Sequence, residues 1–175
     1  MNREKLREFD GSPHLNVPTI AFLEYVVNKD SVILEFGSGS STLWFAKRSE
    51  CIISYESEKK WWEVVAKEAT ERGVGNLDIR FEPRYWEYFE KQLEKDMEFD
   101  IILIDGAEHV NARESCIRKA WKYLAKGGYF VVDDTHKERY RKEVKFIDGW
   151  GWEKWEMTGK DFWGAWKKAT VWRRG

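Results

Sequence analysis

The stretch 32–47, VILEFGSGSSTLWFAK, constrains the fold of this chain more than any other. Residues 32–34 are apolar and suit a buried parallel strand, and 43–46 suit a helix packed on a sheet. Between them, Gly37 and Gly39 permit a tight turn that leaves backbone N–H groups exposed at the start of the helix. Such a strand–turn–helix unit predicts an α/β fold with a site for a small polar or anionic ligand.

Strands and helical patterns continue to alternate along the chain. The first strand is predicted at 32–36, and further strands are predicted at 51–55, 77–81, 100–105, 129–132, 152–157 and 166–173. Helices separate all of these except the last two; one is predicted over 84–96, and the helix before the fifth strand is predicted to extend to Leu124. This pattern predicts an α/β domain with a mostly parallel sheet, helices on both faces and an antiparallel edge.

The composition predicts one globular domain over residues 1–175. A chain of 175 residues with 42% apolar content is long enough for a single core. Residues 1–16 are polar and are expected to form an arm or loop, whereas 150–175 combine the last two strands with many aromatic and basic side chains. The N-terminus is too charged for a signal peptide, and no apolar run reaches the roughly 20 residues of a membrane span. We therefore expect a cytoplasmic protein without membrane contact.

Acidic side chains follow each of the predicted parallel strands. They are Glu35 in the first turn, Glu56, Glu82, Asp105, and the pair Asp133 and Asp134. Because the carboxyl ends of parallel strands meet at one edge of the sheet, these acids are expected to surround a single site. Glu56 lies 17 residues beyond Gly39, a spacing typical of an acid that binds the two hydroxyls of a ribose.

Two segments resemble the class I S-adenosylmethionine-dependent methyltransferases. Residues 35–42, E-F-G-S-G-S-S-T, are similar to the acid and alternate glycines of that family, with Ser41 in the third glycine position. Residues 125–134, A-K-G-G-Y-F-V-V-D-D, are similar to its fifth strand. The resemblance runs from about Val17 onward. It implies a single Rossmann-like methyltransferase domain with seven strands in the order 3-2-1-4-5-7-6, the last of them antiparallel.

The resemblance also implies that the cofactor is S-adenosylmethionine. Glu35 would hold its methionine end, Glu56 its ribose, Ser57 and Glu82 its adenine, and Asp105 would face the reacting methyl group. The residues expected to contact the cofactor are Glu35, Gly37, Ser38, Gly39, Ser41, Thr42, Glu56, Ser57, Glu82, Asp105 and Gly106. For each acid, capping a helix or remaining solvated is the alternative.

Three residues are candidates for catalysis. Methyl transfer from a sulfonium needs mainly alignment and exclusion of water, and a base is required only if the acceptor must lose a proton. Asp105, His109 and His136 follow strands four and five and could supply that base. Either histidine could instead cap a helix or bond the backbone.

The acids after strands four and five suggest a metal site. In metal-dependent O-methyltransferases similar to the catechol enzyme, an acid after strand four and an Asp-Asn pair after strand five bind a divalent cation. Asp105, Asp133 and Asp134 are similar in position, although the pair here is Asp-Asp. Oxygen ligands suit Mg²⁺, which would lower the pKa of an acceptor hydroxyl. The resemblance thus implies Mg²⁺ as a second cofactor.

Several functions fit these patterns. The first is methyl transfer to an unidentified acceptor, where a small-molecule or glycan hydroxyl is favoured over nucleic acid because no dedicated recognition domain is visible. The second is a non-catalytic protein that binds S-adenosylmethionine or S-adenosylhomocysteine. An NAD(P)-dependent oxidoreductase is disfavoured because Thr42 stands where the dinucleotide fingerprint has glycine.

The aromatic and basic tail has two interpretations. Interleaved aromatic and cationic side chains can stack bases and neutralise phosphates. We favour the alternative that the tail's aromatic side chains pack at a sheet edge, where a homodimer could cover the second face. Within the tail, Phe162 and Trp163 are the best candidates to line an acceptor pocket.

Overall fold

A seven-stranded sheet runs through the part of the chain that the computed structural model describes, residues 12–106 and 111–175. Its strand order is β3-β2-β1-β4-β5-β7-β6. The first five strands are parallel, and β7 is antiparallel to both of its neighbours. The predicted fold class, strand order and antiparallel strand are therefore confirmed.

The helices and strands alternate up to β5. In chain order they are α1 Val17–Val26, β1 Val32–Phe36, α2 Ser40–Ala46, β2 Cys51–Glu56, α3 Lys59–Glu71, β3 Leu77–Phe81, α4 Tyr85–Gln92, β4 Phe99–Ile104, α5 Ala112–Ala120, β5 Leu124–Val132, α6 Arg141–Asp148, β6 Glu153–Lys160 and β7 Trp166–Arg173. Short 3₁₀ helices, Trp121–Tyr123 and Glu138–Tyr140, precede β5 and α6. Within the described ranges, no helix is long and apolar enough to cross a membrane.

Strand β4 lies at the centre of the core and is covered on both faces. Ile102 and Ile104 pack with side chains of α4 and α5 on one face. Ile101 and Leu103 pack with side chains of α1 and α2 on the other. An uninterrupted apolar run is what a parallel strand buried on both faces requires. Because the sheet is anchored in this way, the loops after β1, β2, β4 and β5 are held together at one edge, which we call the site edge.

The helix before β5 ends earlier than its apolar pattern predicts. The prediction that it extends to Leu124 is wrong, since α5 ends at Ala120 and Leu124 is already in β5. Gly128 lies within this strand, where a Cβ atom would be 2.8 Å from the carbonyl oxygen of Asp100. The pair Gly127 and Gly128, which the sequence suggested as the end of a helix, instead permits close contact between β5 and β4. Helix α4 is also shorter than predicted, because Leu93 has an extended backbone.

The aromatic residues of the tail divide into two groups. Trp172 is fully buried, and its indole N–H donates to Asp148 Oδ1 at 2.8 Å. Trp150 and Trp152 contact each other, with ring centroids 4.7 Å apart. The prediction that these rings pack is confirmed for this group. A second group is exposed around the β6–β7 turn and consists of Phe162, Trp163 and Trp166. For these rings, cover by a homodimer and a place in an acceptor pocket stay predictions.

Candidate active site

The turns after β1 and β4 touch each other at two glycines. Gly37 has a positive φ of 99°, and a Cβ atom there would lie 2.3 Å from the Cα of Gly106. A Cβ atom on Gly106 would in turn lie 2.1 Å from the hydroxyl of Tyr85. Both positions therefore require glycine on steric grounds. This close approach brings Asp105, at the end of β4, next to the glycine turn.

Glu35 is fully buried beneath the glycine turn. Its carboxyl accepts hydrogen bonds from the hydroxyls of Ser41 and Thr42, both at 2.5 Å, and of Ser54 at 2.6 Å. Burial raises the pKa of Glu35 to about 7, although the three hydroxyls oppose the increase. In this arrangement Glu35 fastens the turn to α2 and β2. Its contact with the methionine end of the cofactor stays a prediction.

We expect Glu35→Gln to change how stability depends on pH. The folded protein keeps the Glu35 proton up to about pH 7, whereas an unfolded glutamate loses it near pH 4.3. The wild type should therefore lose about 4 kcal/mol of unfolding free energy as the pH rises between these values. Glutamine cannot ionise, so the difference between the two proteins should change by that amount between pH 4 and 8 in urea titrations. A constant difference would contradict the assigned burial.

Glu56 joins the turn after β2 to the glycine turn. Its Oε2 accepts from the backbone N–H of Ser38 at 3.1 Å, and its Oε1 accepts from Ser57 at 2.7 Å and Glu58 at 2.8 Å. Burial raises the pKa of Glu56, and the three N–H groups oppose this increase. Three predicted cofactor-binding residues, Ser38, Glu56 and Ser57, are thus brought together at the site edge.

Glu82 lies beside Glu56 but is directed into its own loop. Its backbone N–H donates to the carbonyl of Glu56 at 2.9 Å. Its carboxylate accepts from the backbone of Arg84 at 3.1 Å and from Gln92 Nε2 at 3.3 Å. The neighbouring loops therefore place Glu82 near the predicted adenine end, with protein partners on both carboxylate oxygens.

Arg113 holds the loops after β4 and β5 together. The side chain is 5% exposed. Its guanidinium donates to the carbonyls of Gly106 at 2.6 Å, Asp105 at 2.9 Å and Asp133 at 3.2 Å. It also pairs with the carboxylates of Asp105 at 3.2 Å and Asp134 at 3.5 Å. A single buried cation therefore satisfies three carbonyls and two acids of the site edge.

The predicted Mg²⁺ ligands do not fit a metal site. Asp105, Asp133 and Asp134 do not form a group that could hold a metal ion, and neither does any other set of acidic, histidine or cysteine residues in the described ranges. The cause is that Arg113 pairs with two of these acids, while Lys137 Nζ lies 2.6 Å from Asp134 Oδ2. Burial opposes the ionisation of Asp134, but these cations lower its pKa overall. Protein cations stand where the prediction placed Mg²⁺.

Asp133 has an unusual environment behind Asp105. Both of its carboxyl oxygens are buried. Among the described residues, the neighbouring Asp105 carboxyl is their one hydrogen-bond partner. Lys167 Nζ is 4.0 Å from Asp133 Oδ2. Burial, followed by the charge of Asp105, raises the pKa of Asp133 well above its ordinary range. Burial also raises the pKa of Asp105, although Arg113 opposes the shift. The two carboxyls therefore favour sharing a proton over ionising together.

The two candidate histidines differ in what the structure describes. His136 is exposed in the turn after β5, and in the described part of the chain it makes no hydrogen bond to Asp105. His109 lies outside the described residues. Asp105 is thus the one predicted catalytic group placed next to the glycine turn by described contacts.

Sequence reasoning missed several residues that build this site. Ser54 binds Glu35 from β2, and Trp61 donates its indole N–H to the carbonyl of Ser38 at 2.6 Å. Tyr85 fills the space behind Gly106. Arg113 and Lys167 carry the charges that balance the acids. The position of Arg113 in the sequence could have identified it, because an arginine in the first turn of the helix after β4 can reach the acids that follow β4 and β5.

The described geometry defines the class of protein. A sheet of order 3-2-1-4-5-7-6, a glycine turn after β1 and an acid after β2 that reaches that turn are the features of a class I S-adenosylmethionine-dependent methyltransferase. A family model described as "Methyltransferase domain" matches residues 27–167. The chain belongs to this methyltransferase family, which confirms the resemblance found in the sequence.

Solved methyltransferase structures share the fold. The O-methyltransferase TomG from Streptomyces achromogenes, in complex with S-adenosylmethionine, is 21% identical with a TM-score of 0.72, over 99% of this chain and 89% of that one. A precorrin-6y C5,15-methyltransferase from Geobacter metallireducens is 13% identical with a TM-score of 0.71, over 91% and 88%. An rRNA methylase from Streptococcus thermophilus is 12% identical with a TM-score of 0.69, over 89% and 93%. No curated protein sequence matches the chain. At these identities the likeness shows the fold, and the three proteins differ in their acceptors.

Proposed function

We propose that this protein transfers a methyl group from S-adenosylmethionine to a hydroxyl group of a small molecule or glycan. The observation that carries the cofactor assignment is the Glu56 carboxylate, which is held at the glycine turn by the backbone of Ser38, Ser57 and Glu58. A carboxylate fixed beside such a turn is placed to accept hydrogen bonds from the two hydroxyls of a ribose. A cytoplasmic location and a homodimer remain predictions from the sequence.

The remaining cofactor contacts follow the site edge. In this proposal the backbone of Gly37 and Gly39 approaches the methionine portion, and the loop of Ser57 and Glu82 lies beside the adenine. Glu35 supports this end through Ser41 and Thr42, whose hydroxyls it binds. Gly106 permits the close contact with Gly37 that brings the turns after β1 and β4 together.

Asp105 is the group we propose to act on the acceptor. Its side chain is partly exposed and lies next to both the glycine turn and Asp133. As the acceptor oxygen attacks the methyl carbon, the bond from that carbon to sulfur breaks and the sulfonium becomes a neutral thioether. The hydroxyl proton passes to the Asp105 carboxylate, and Arg113 holds that carboxylate in place. Water exclusion and alignment supply the rest of the rate enhancement.

We expect Glu56→Gln to weaken binding of S-adenosylhomocysteine roughly 10- to 100-fold, because a charge-assisted hydrogen bond contributes about 1.5–3 kcal/mol. Glutamine keeps the size of the side chain but lacks the charge that two ribose hydroxyls would bind. Isothermal titration calorimetry measures the change. Glu58→Gln is the matched control, since Glu58 is exposed two residues away and its variant should bind normally.

The outcomes of this titration separate the competing functions. Equal affinity of the Glu56 and Glu58 variants would show that the ribose contact is misplaced. Binding of NAD in place of S-adenosylhomocysteine would contradict the proposal. If the cofactor binds but labelled methyl never reaches any member of a panel of phenols, sugars and RNA, a non-catalytic binding protein is the better description. Methyl transfer to RNA alone would replace the proposed hydroxyl acceptor with a nucleic acid.

A further inference from the structure

The β6–β7 turn presents aromatic rings to solvent. We call residues 161–166 the aromatic turn. Its three large rings are 70% exposed at Phe162, 51% at Trp163 and 67% at Trp166. Elsewhere in the tail, Trp172 is fully buried and Trp150 packs against other rings. Exposed aromatic rings grouped in one short segment commonly mark a binding surface.

The aromatic turn is held in one conformation by Asp161, whose side chain is 3% exposed. Asp161 Oδ1 accepts from the backbone N–H of Trp163 at 3.0 Å and of Ala165 at 2.9 Å. Asp161 Oδ2 lies 3.7 Å from His14 Nε2. The backbone closes the turn through a hydrogen bond from Asp161 N–H to the carbonyl of Ala165 at 2.8 Å. A backbone fixed in this way loses little conformational entropy when the turn binds a ligand.

Lys167 connects the aromatic turn to the proposed site of methyl transfer. Its Nζ lies 3.8 Å from Asp161 Oδ2 and 4.0 Å from Asp133 Oδ2. Asp133 in turn lies beside Asp105. The N-terminal end of β7 is also at the site edge, since the backbone N–H of Thr135, after β5, donates to the carbonyl of Lys168 at 2.8 Å. The turn that carries Phe162 and Trp163 therefore lies close to the position proposed for methyl transfer, whereas Trp166 is on the opposite face of β7 from Lys167.

The charges around the aromatic turn favour a neutral ligand over a polynucleotide. Nucleic-acid binding needs cations available to phosphates. Lys167 already lies near two carboxylates, and Lys168 Nζ pairs with Glu156 at 2.8 Å. The lysines that flank the turn are Lys160, Lys167 and Lys168, and acids of the protein thus neutralise the last two. Stacking on exposed rings is then the main interaction that this surface offers.

We propose that the aromatic turn binds the methyl acceptor and that the acceptor is a small molecule whose hydroxyl is carried on a planar aromatic ring. The ring packs against Phe162 and Trp163, whose own rings are nearly perpendicular at 86°, while its hydroxyl points along Lys167 towards Asp105. This inference rests on the proposed function for the identity of the reaction, but the ring-binding surface is independent of it.

The test is a titration of the protein, saturated with S-adenosylhomocysteine, with 2-naphthol and with its saturated counterpart decahydro-2-naphthol. Both probes carry one hydroxyl on a fused two-ring frame, and only the first is planar. We expect 2-naphthol to bind at least tenfold more tightly. Phe162→Ala and Trp163→Ala should each weaken it by about tenfold, as loss of an aromatic ring that contacts the ligand does. Tyr25→Ala is the matched control, since Tyr25 is 88% exposed on α1, and it should change nothing.

Two results would overturn the inference. One is equal affinity for the planar and saturated probes, or naphthol binding that the Phe162 and Trp163 variants leave unchanged. The other is tight, salt-dependent binding of a single-stranded RNA oligonucleotide that the same two variants abolish, which would make nucleic acid the ligand of this turn. If S-adenosylhomocysteine gives no binding heat, the proposed function fails, and the naphthol titrations of the protein alone still decide whether the turn binds aromatic rings.

Discussion

Gly37→Ala is expected to destabilise the protein by about 3 kcal/mol or more and to abolish cofactor binding. The new methyl group would lie 2.3 Å from the Cα of Gly106 and 2.5 Å from its nitrogen. Both are backbone atoms of a loop that Arg113 and Tyr85 hold in place, so neither can move away. Overpacking of this kind costs about 1–3 kcal/mol, and a positive φ adds roughly 1–2 kcal/mol for a residue with a side chain.

Gly73→Ala is the matched control for this prediction. Gly73 also has a positive φ, of 65°, but no atom lies within 4 Å of the position of its Cβ. Its alanine variant should therefore lose only the backbone cost of roughly 1–2 kcal/mol and should bind S-adenosylhomocysteine normally. Urea unfolding and calorimetry on both variants measure the difference. Similar unfolding free energies for the two would show that the contact of Gly37 with Gly106 does not limit this turn.

Arg113→Met is expected to cost about 3–5 kcal/mol of unfolding free energy, as loss of one partner from a buried ion pair does. Methionine fills much of the same volume but leaves the Asp105 and Asp134 carboxylates and three carbonyl oxygens without their donor. The deficit should shrink below about pH 4, where free carboxyls take up protons. Because the loops after β4 and β5 share this donor, methyl transfer should fall more than cofactor affinity.

Arg118→Met tests whether burial causes this loss. Arg118 is on the same helix and pairs with Glu143 at 2.9 Å, but its side chain is 48% exposed. Its variant should lose no more than about 1 kcal/mol, the usual value for an exposed pair. Urea titrations at pH 7 and pH 4 compare the two proteins. Equal losses for both arginines would mean that the acids at the site edge do not depend on Arg113.

Strong local patterns allowed most of the fold to be predicted. The apolar run of β4 and the small-residue turn after β1 each have few alternatives, and the bounds of β1, β3 and β7 match the prediction. The start of β5 was wrong because Leu124 is equally suitable for the end of an amphipathic helix or for a buried strand. Only the pairing of β5 with Phe99 of β4 decides between them, and this long-range contact has no signature in the local sequence.

The candidate site was less predictable than the fold. The sequence identifies acids at the ends of strands, but it does not show which cation lies between them. Mg²⁺ and the Arg113 guanidinium are both consistent with Asp105 followed by Asp133 and Asp134, and the choice depends on how α5 packs over the loop after β4. Similarly, the tryptophans of the tail have similar sequence neighbours, although Trp172 is buried and Trp166 is exposed. Both side chains lie on the same face of β7, and only tertiary packing decides which end of that face is covered.

The position of β7 imposes an order on how the two halves of the site are assembled during synthesis. The glycine turn, Glu56 and Asp105 lie on strands that can pair as soon as residues up to β4 have left the ribosome. The acids after β5 depend on residues 166–173, because Thr135 binds Lys168 and Thr170 across the β5–β7 pair. Until β7 has been synthesised, one edge of β5 has no paired strand, and this strand carries the apolar side chains of Phe130 and Val132. The part of the site edge that β1, β2 and β4 form can therefore assemble on a nascent chain well before the part that depends on β7.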